Sequence, residues 1–364
     1  MQHFVPCNMS LPLYVDLDGT LIASDSLWES LLVVLKRRPW QVFHVLSWLA
    51  RGKAGFKAAL AEEAQLDGEH LPYREAVLAF IRERKAGGTR IILATAAHER
   101  IARSVADHLG CFDEVLATQE GLNLSGQAKA ERIQAHARGS FAYMGDHTAD
   151  IPVWKVAQES ILVSSHINTG ERLARELGTP FHTIVIDHRP HPSRSLIRAL
   201  RVHQWVKNLL LLVPLILAHR FTDAGSWQRA LIGFFTFSLT ASSIYLINDL
   251  FDLSSDRRHP RKRLRPMAHG DLSIPFALIS AIACLSLALV GAWTLISPAF
   301  FLVLLGYILT TSIYTISLKR VPVVDVLALA FFYVYRLLAG AVAASVFLSP
   351  WLLAFAAFLF LSLG

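Results

Sequence analysis

Charge is scarce in this 364-residue chain: Asp, Glu, Lys and Arg make up 17% of it, against about 25% in ordinary soluble domains. The scarcity is uneven. Before position 209 there are 24 basic and 22 acidic residues, and after it only 11 and 6. No glutamate follows Glu176, and residues 273–318 carry no charge at all. Hydrophobic residues reach 53%, which excludes a disordered chain. Glycine, at 20 residues, is far too sparse for a collagen-like fibre. A soluble first half joined to a membrane-embedded second half fits these numbers. Cysteine is scarce as well. Cys7, Cys111 and Cys284 stand far apart, which offers neither a disulfide framework nor a CxxC metal site. The N-terminus has no basic stretch followed by an apolar one, so no signal peptide is expected.

What is present in the first half is a rhythm. Leu13–Val15, Arg90–Leu93, Glu114–Leu116, Phe141–Met144, Ile161–Val163 and Thr183–Ile186 read as strands. Helical patterns near 24–37, 72–86, 98–109, 128–137, 149–157 and 168–177 separate them. Such alternation predicts a parallel sheet covered on both faces, with chemistry outside the carboxyl ends of the strands. The first strand runs into Asp16-Leu17-Asp18-Gly19-Thr20. Two carboxylates so placed repel each other unless a cation sits between them, and Gly19 permits a sharp turn. Thr95 ends the next strong strand, and Lys129 opens a helix. Asp146 follows the strand at 141–145, with Asp150 one helical turn on.

Taken together and in this order, these residues resemble the four motifs of the haloacid dehalogenase-like phosphatases. The resemblance covers about residues 10–186 and implies a Rossmann-like α/β fold with a helical cap at about 21–85. It implies Asp16 as nucleophile and Asp18 as the acid that protonates the leaving oxygen. Thr95 and Lys129 would hold phosphoryl oxygens. Asp16, the Asp18 carbonyl and Asp146 would bind Mg²⁺, with Asp150 in support. The cap is apolar and aromatic (Trp28, Trp40, Phe43, Trp48, Phe56), with Arg37, Arg38, Arg51, Lys53 and Lys57 interleaved. It reads either as cap core with a solvated basic face or as a surface resting on a bilayer.

Asp187–Ser193 is a polar segment whose Pro190 and Pro192 predict a stiff, non-helical linker. His182, His188 and His191 match no metal spacing and read as solvated. Six apolar runs follow, at about 208–221, 229–250, 274–296, 299–318, 323–345 and 350–364. The middle ones reach the roughly 20 residues that span a bilayer, so an all-α transmembrane bundle is expected over 194–364. Basic residues gather before the first run, after the second (Arg257, Arg258, Arg261, Lys262, Arg263, Arg265) and after the fourth (Lys319, Arg320). If every run spans, these lie on one face, which the positive-inside rule makes cytoplasmic. Beside an apolar run, such a cluster points to a membrane loop rather than to nucleic acid.

At the end of the second run stands Asn248-Asp249-Leu250-Phe251-Asp252-Leu253-Ser254-Ser255-Asp256. The three aspartates have helical spacing and would share one face, a costly arrangement at a membrane boundary without partners. A Mg²⁺ platform for a diphosphate explains them, with neighbouring arginines holding the remaining phosphate charge. This half resembles the UbiA-type polyprenyltransferases. Gln204-Trp205-Val206-Lys207-Asn208, the continuation through Asp256-Arg257-Arg258 and Lys262-Arg263-Leu264-Arg265, and Tyr314, Lys319 and Asp325 resemble the branch that moves phosphoribose. That branch implies two substrates, phosphoribosyl diphosphate and a polyprenyl phosphate. It also implies Asn248, Asp249, Asp252 and Asp256 around Mg²⁺, with Lys207, Arg257, Arg258, Lys262, Arg265, Tyr314, Lys319 and Asp325 lining the same mouth. Arg336, within the fifth run, is a further candidate. The resemblance implies about nine spans, so the membrane half is expected to be incomplete. An aromatic prenyltransferase and a phosphatase with a mere membrane anchor are the competing readings.

Overall fold

The computed structural model describes residues 11–49, 52–64, 66–119, 124–165, 167–318 and 321–362. The chain forms two compact units. One runs up to Pro192 and includes Phe251–Pro275; the other comprises Ser193–Leu250 and the chain from Phe276 onward.

The first unit is built on strands β1 (Leu13–Val15), β2 (Ile91–His98), β3 (Glu114–Thr118), β4 (Ala142–Gly145), β5 (Glu159–Ser164) and β6 (Thr183–Ile186). Their order is β3-β2-β1-β4-β5-β6, and every neighbouring pair is parallel. Val15 stands opposite Leu93 on one side and Met144 on the other. The strands are mostly apolar because both faces are covered, and alternate residues feed two cores. Leu13, Val15, Ile91, Leu93, Ala142 and Met144 pack on one face. Tyr14, Ile92, Ala94, Phe141 and Tyr143 pack on the other.

Helices α1 (Ser26–Arg37), α2 (Val42–Leu49), α3 (Gly52–Ala64) and α4 (Glu75–Ala86) lie between β1 and β2. Asp25 caps α1, its carboxylate accepting from the Leu27 N–H at 2.8 Å. Val34, Trp48, Phe56, Leu60 and Ala64 give this cap a core of its own. The cap aromatics therefore divide: Trp48 and Phe56 are buried, whereas Trp40 is exposed. Helices α5 (Glu99–Leu109), α6 (Gln127–Ala137), α7 (Ile151–Trp154) and α8 (Ile167–Leu177) complete the layers.

Three local expectations change. Strand β2 continues to His98, with a register irregularity between Ala94 and His98, so Thr95 lies within the strand rather than at its end. The helix expected at 149–157 is a tight turn, Thr148–Asp150, followed by the single turn α7. The Asp150 carboxylate accepts from the backbone N–H groups of Asp146 and His147, which tightens the chain there. His188 and His191 are exposed, as expected, but the segment 187–193 is not wholly non-helical. Asp187 accepts from Arg74 at 2.5 Å and from Arg189 at 2.6 Å. Pro192 opens α9 (Pro192–Ala199), as a proline with preset φ does at a first helical position. His182 also has a structural partner, its Nδ1 accepting from the Ser160 N–H at 3.1 Å.

Residues 251–275, with α12 (Leu253–Arg258) and α13 (Pro266–His269), belong to the first unit. Arg257 pairs with Glu29, and Arg189 donates to the His269 carbonyl at 3.2 Å. Gly270, at φ +83°, lies where a Cβ would stand 2.8 Å from the Ala23 carbonyl.

The second unit is helical. A tight helical stretch at Val202–Leu212 leads into α10 (Val213–Leu217), then α11 (Ala224–Phe251), α14 (Ile274–Gly291), α15 (Pro298–Ile316), α16 (Pro322–Ala344) and α17 (Pro350–Ser362). Among the described residues four helices are long and apolar enough to cross a membrane: Ala224–Phe251, Ile274–Ile296, Pro298–Ile316 and Val323–Ala344. The first apolar run is not one straight helix. It belongs to a pair, Pro192–Ala199 and Val202–Leu217, bent by 44°. The last, Pro350–Ser362, is short.

Ile279, Leu287, Val290, Leu302 and Ile316 are more than 60% exposed. An outward apolar belt of this kind suits lipid rather than water. Inside, Leu211, Phe237, Phe300, Leu304 and Phe332 pack with small residues such as Ala339 and Ala343. At Gly340 any Cβ would overlap the Leu211 carbonyl, so only glycine admits this approach.

Candidate active site

The strand order reverses between β1 and β4, which opens a crevice at their carboxyl ends. Asp16 leaves β1 there, its N–H donating to the Met144 carbonyl at 3.0 Å. Asp146 leaves β4 beside it. Gly19 turns the intervening loop at φ +76°, and a Cβ on it would meet the Asp146 carboxylate at 2.4 Å. The Thr20 hydroxyl donates to Asp146 at 3.0 Å. Asp18 accepts from the backbone N–H and the hydroxyl of Ser26, at 2.7 and 3.0 Å.

Lys129, in the first turn of α6, places its ammonium 2.9 Å from Asp16 and 3.4 Å from Asp150. It also donates to the Tyr143 hydroxyl at 2.8 Å, which in turn donates to Asp150 at 2.5 Å. Thr95 is fully buried, its hydroxyl accepting from the Ala97 N–H at 3.0 Å. Above these groups lies a cavity of about 280 Å³ lined by Asp16, Asp18, Lys129, Asp146 and Asp150 on one side and by Leu27, Ser30, Lys57 and Leu60 of the cap on the other.

Burial is the main cause of the electrostatics. It pushes Asp16 up to about 6, Asp146 to about 7 and Asp18 to about 8. Burial alone would lower the Lys129 ammonium, but Asp16 and Asp150 beside it hold it above its ordinary value. The Tyr143 hydroxyl is pushed well up by burial, then by Asp150, and remains a donor. Carboxylate oxygens of Asp16, Asp146 and Asp150 lie within 4.8 Å of one another. This all-oxygen, excess-negative set fits a hard divalent cation.

All six residues singled out in the first half fall in this region, with Thr95 buried next to the lining residue Ala96. Tyr143 escaped sequence reading, because a tyrosine inside an apolar strand reads as core. Its one signal is a hydroxyl that burial obliges to find a partner. Lys57, one of the basic residues interleaved with the cap aromatics, turns its ammonium inward and donates to the Ala96 carbonyl at 2.7 Å.

The second set of residues is held differently. Helix α11 stops at Phe251 and a new helix starts at Leu253, so the aspartate motif does not lie along one continuous helix. In the second unit, Asp249 pairs with Arg201 at 2.6 Å, and Arg201 lies over the Tyr245 ring. Asn248 donates to Thr315 at 3.4 Å. Tyr314 donates to Asp325 at 2.5 Å. In the first unit, Asp252 lies 3.6 Å from Lys36, and Asp256 accepts from Arg265 at 2.6 Å. Lys207, Arg258 and Lys262 are exposed. Lys319 and Arg320 lie outside the described residues. Arg336 is buried, donating to Asn208 at 2.9 Å and to the Phe332 carbonyl at 2.6 Å. Asn208 donates onward to Ser238.

A six-stranded parallel sheet with an aspartate–lysine site under a helical cap defines a phosphohydrolase-like domain, and long apolar helices follow it in the same chain. Residues 13–155 match the haloacid dehalogenase-like hydrolase profile, and residues 209–364 match that of the UbiA prenyltransferase family. An uncharacterized protein of Sinorhizobium fredii, y4nM, is 36% identical over 98% of this chain and 69% of its own length. The decaprenyl-phosphate phosphoribosyltransferase of Mycobacterium tuberculosis is 36% identical over 45% of this chain. The chain spans 55% of that relative's length. A UbiA homolog from Archaeoglobus fulgidus, solved bound to DMAPP and Mg²⁺, is 27% identical over 46% of this chain and 61% of its own, with a TM-score of 0.40. The chain carries a haloacid dehalogenase-like hydrolase domain followed by a UbiA prenyltransferase domain. It is an integral membrane protein.

Proposed function

We propose that the first unit is a Mg²⁺-dependent phosphomonoesterase and that the membrane half transfers 5-phosphoribose from phosphoribosyl diphosphate to a polyprenyl phosphate. The phosphomonoesterase then removes the 5-phosphate of the lipid-linked product. The observation that carries the hydrolase reading is the convergence of Asp16, Asp18, Asp146 and Lys129 on one cavity under the cap. The transferase reading is supported by the aspartate motif and by the likeness to a decaprenyl-phosphate phosphoribosyltransferase.

In the transfer, a phosphate oxygen of the lipid attacks C1 of the sugar, and diphosphate leaves with the C1–O bonding pair. Asn248, Asp249, Asp252 and Asp256 would hold the metal and the diphosphate. Lys207, Arg258, Lys262, Arg265, Tyr314, Lys319 and Asp325 would serve its mouth, and so would Arg257 once freed from Glu29. In the hydrolysis, Asp16 attacks phosphorus and the bond to the ribose 5-oxygen breaks. Asp18, held protonated by burial, gives that oxygen its proton. Water then attacks the aspartyl phosphate, Asp18 takes the water's proton, and inorganic phosphate leaves. Thr95 and Lys129 hold the phosphoryl oxygens as charge moves between them. Asp16 and Asp146, with the Asp18 carbonyl, would hold Mg²⁺, which neutralises the approach of an anionic nucleophile to an anionic phosphate. The arginine and lysine groups flanking the apolar runs support a cytoplasmic face for the hydrolase domain and the aspartate motif.

Membranes carrying the protein, given polyprenyl-phosphoryl 5-phosphoribose and Mg²⁺, release inorganic phosphate, and Asp16→Asn abolishes the release. Equal turnover by the Asn variant overturns the reading. Radiolabelled phosphoribosyl diphosphate, but not prenyl diphosphate with an aromatic acceptor, labels the lipid fraction.

A further inference from the structure

The cap supplies a cation that the hydrolysis does not require. Helix α3 buries Phe56, Leu60 and Ala64 in the cap core, while Ala61, one turn after Lys57, packs into the sheet-side core. The pattern calls for an apolar residue at 57, facing the sheet. A lysine stands there instead, and burying its ammonium carries a desolvation cost. Its head donates to the Ala96 carbonyl at 2.7 Å, immediately after Thr95, and lines the cavity that holds Asp16, Asp18 and Lys129. Lys129 is committed to Asp16, Asp150 and the phosphoryl position. The other cap residues lining the cavity are Asp25, Ser26, Leu27, Ser30 and Leu60, none of them positively charged.

We infer that Lys57 is a specificity residue that binds a second anionic group on the substrate, so that the domain selects phosphomonoesters carrying another phosphate or phosphodiester. This rests on the hydrolase reading above and names the substrate class of the same site. The second anion has two possible sources with one chemistry: the phosphodiester of a lipid-linked phosphoribose, or the phosphate of a free sugar bisphosphate. The ammonium reaches from the cap helix to the Ala96 carbonyl and lines the same cavity as the nucleophile Asp16.

The test uses the full-length protein in detergent with Mg²⁺ and three probes: ribose 5-phosphate, ribose 1,5-bisphosphate and polyprenyl-phosphoryl 5-phosphoribose. Loss of one charge-assisted contact predicts that Lys57→Gln lowers kcat/KM on the bisphosphate about tenfold more than on the monophosphate, mainly through KM. Lys57→Arg restores most of that difference. An equal deficit on the lipid-linked probe assigns the anion to the lipid phosphodiester. A deficit confined to the free bisphosphate assigns it to a soluble sugar. Equal loss on the mono- and bisphosphate, or none, overturns the inference. Should the unchanged protein cleave the sugar phosphates but not the lipid-linked one, the lipid reading fails while the bisphosphate ratio still decides the role of Lys57.

Discussion

The Arg257 guanidinium lies against the Glu29 carboxylate, Nη2 2.5 Å from Oε1 and Nη1 3.0 Å from Oε2, across 228 residues of sequence. Both side chains are nearly inaccessible, at 8% and 4% exposure. Arg257 also donates to the Ala268 carbonyl at 3.2 Å, and Ser24 donates to Glu29 at 2.5 Å. The pair therefore fastens residues 251–275 to α1, the helix whose first residue, Ser26, holds Asp18.

Breaking one side of such a buried pair leaves an uncompensated charge and costs about 3–5 kcal/mol. Glu29→Ala is expected to lower the unfolding midpoint and to loosen residues 251–275 from α1. Limited trypsin digestion should then cut within 257–265 much faster than in the unchanged protein. Unaltered cleavage would contradict the role given to this pair.

Gly19→Ala introduces a Cβ at φ +76° and 2.4 Å from the Asp146 carboxylate. The backbone strain alone is about 1 kcal/mol, and Asp146 must also move. Phosphate release should fall by about a hundredfold or more, with the sheet retained by circular dichroism. A kinetic assay beside the spectrum checks both halves of this expectation.

Tyr143→Phe removes the hydroxyl that links Lys129 to Asp150. A buried hydrogen bond to charged groups is worth about 1.5–3 kcal/mol. The expected result is at least a roughly tenfold fall in kcat, with Mg²⁺ affinity weakened as Asp150 loses its orientation. Titration of activity against Mg²⁺ separates the two effects.

Stability should respond to pH in a direction set by the raised carboxyls. Asp16, Asp146 and Asp18 rise from 3.8 to about 6, 7 and 8. Between about pH 4 and 8 the folded unit therefore binds more protons than the unfolded chain, and its stability falls as pH rises. A divalent cation binds the ionised carboxylates and opposes that fall. Thermal unfolding in EDTA should show a lower midpoint at pH 8 than at pH 5, and added Mg²⁺ should raise the midpoint more at pH 8. A Mg²⁺ shift that is the same at both pH values would argue against a carboxylate-held ion.

Asp249→Asn should abolish labelling of lipid by phosphoribosyl diphosphate while leaving phosphate release from ribose 5-phosphate intact, since the two chemistries use separate residues. Loss of both activities would contradict that division.

Much of the first site was legible as pattern. Asp16 and Asp18 at a strand end, Thr95, Lys129, and Asp146 with Asp150 are placed by local spacing, and a parallel sheet delivers strand ends to one edge. The membrane half was legible from charge-free length, although its first run proved to be a bent pair. Local pattern misplaced what depends on a partner. Pro192 opens a helix because α9 needs no N–H from it there, and Asp187 is held by Arg74 and Arg189.

The sequence by itself determined the order of the motifs, the parallel α/β class and the apolar helices, because each follows from the chemistry and spacing of residues close together in the chain. Only the tertiary structure decided which distant charges meet: Lys57 at the Asp16 cavity, Arg257 on Glu29, Arg201 on Asp249, and residues 251–275 within the first unit. Arginine and lysine are long and can reach many carboxylates. The partner each finds is set by how the helices pack and by the cost of burying a charge unpaired, and neither is written in local spacing.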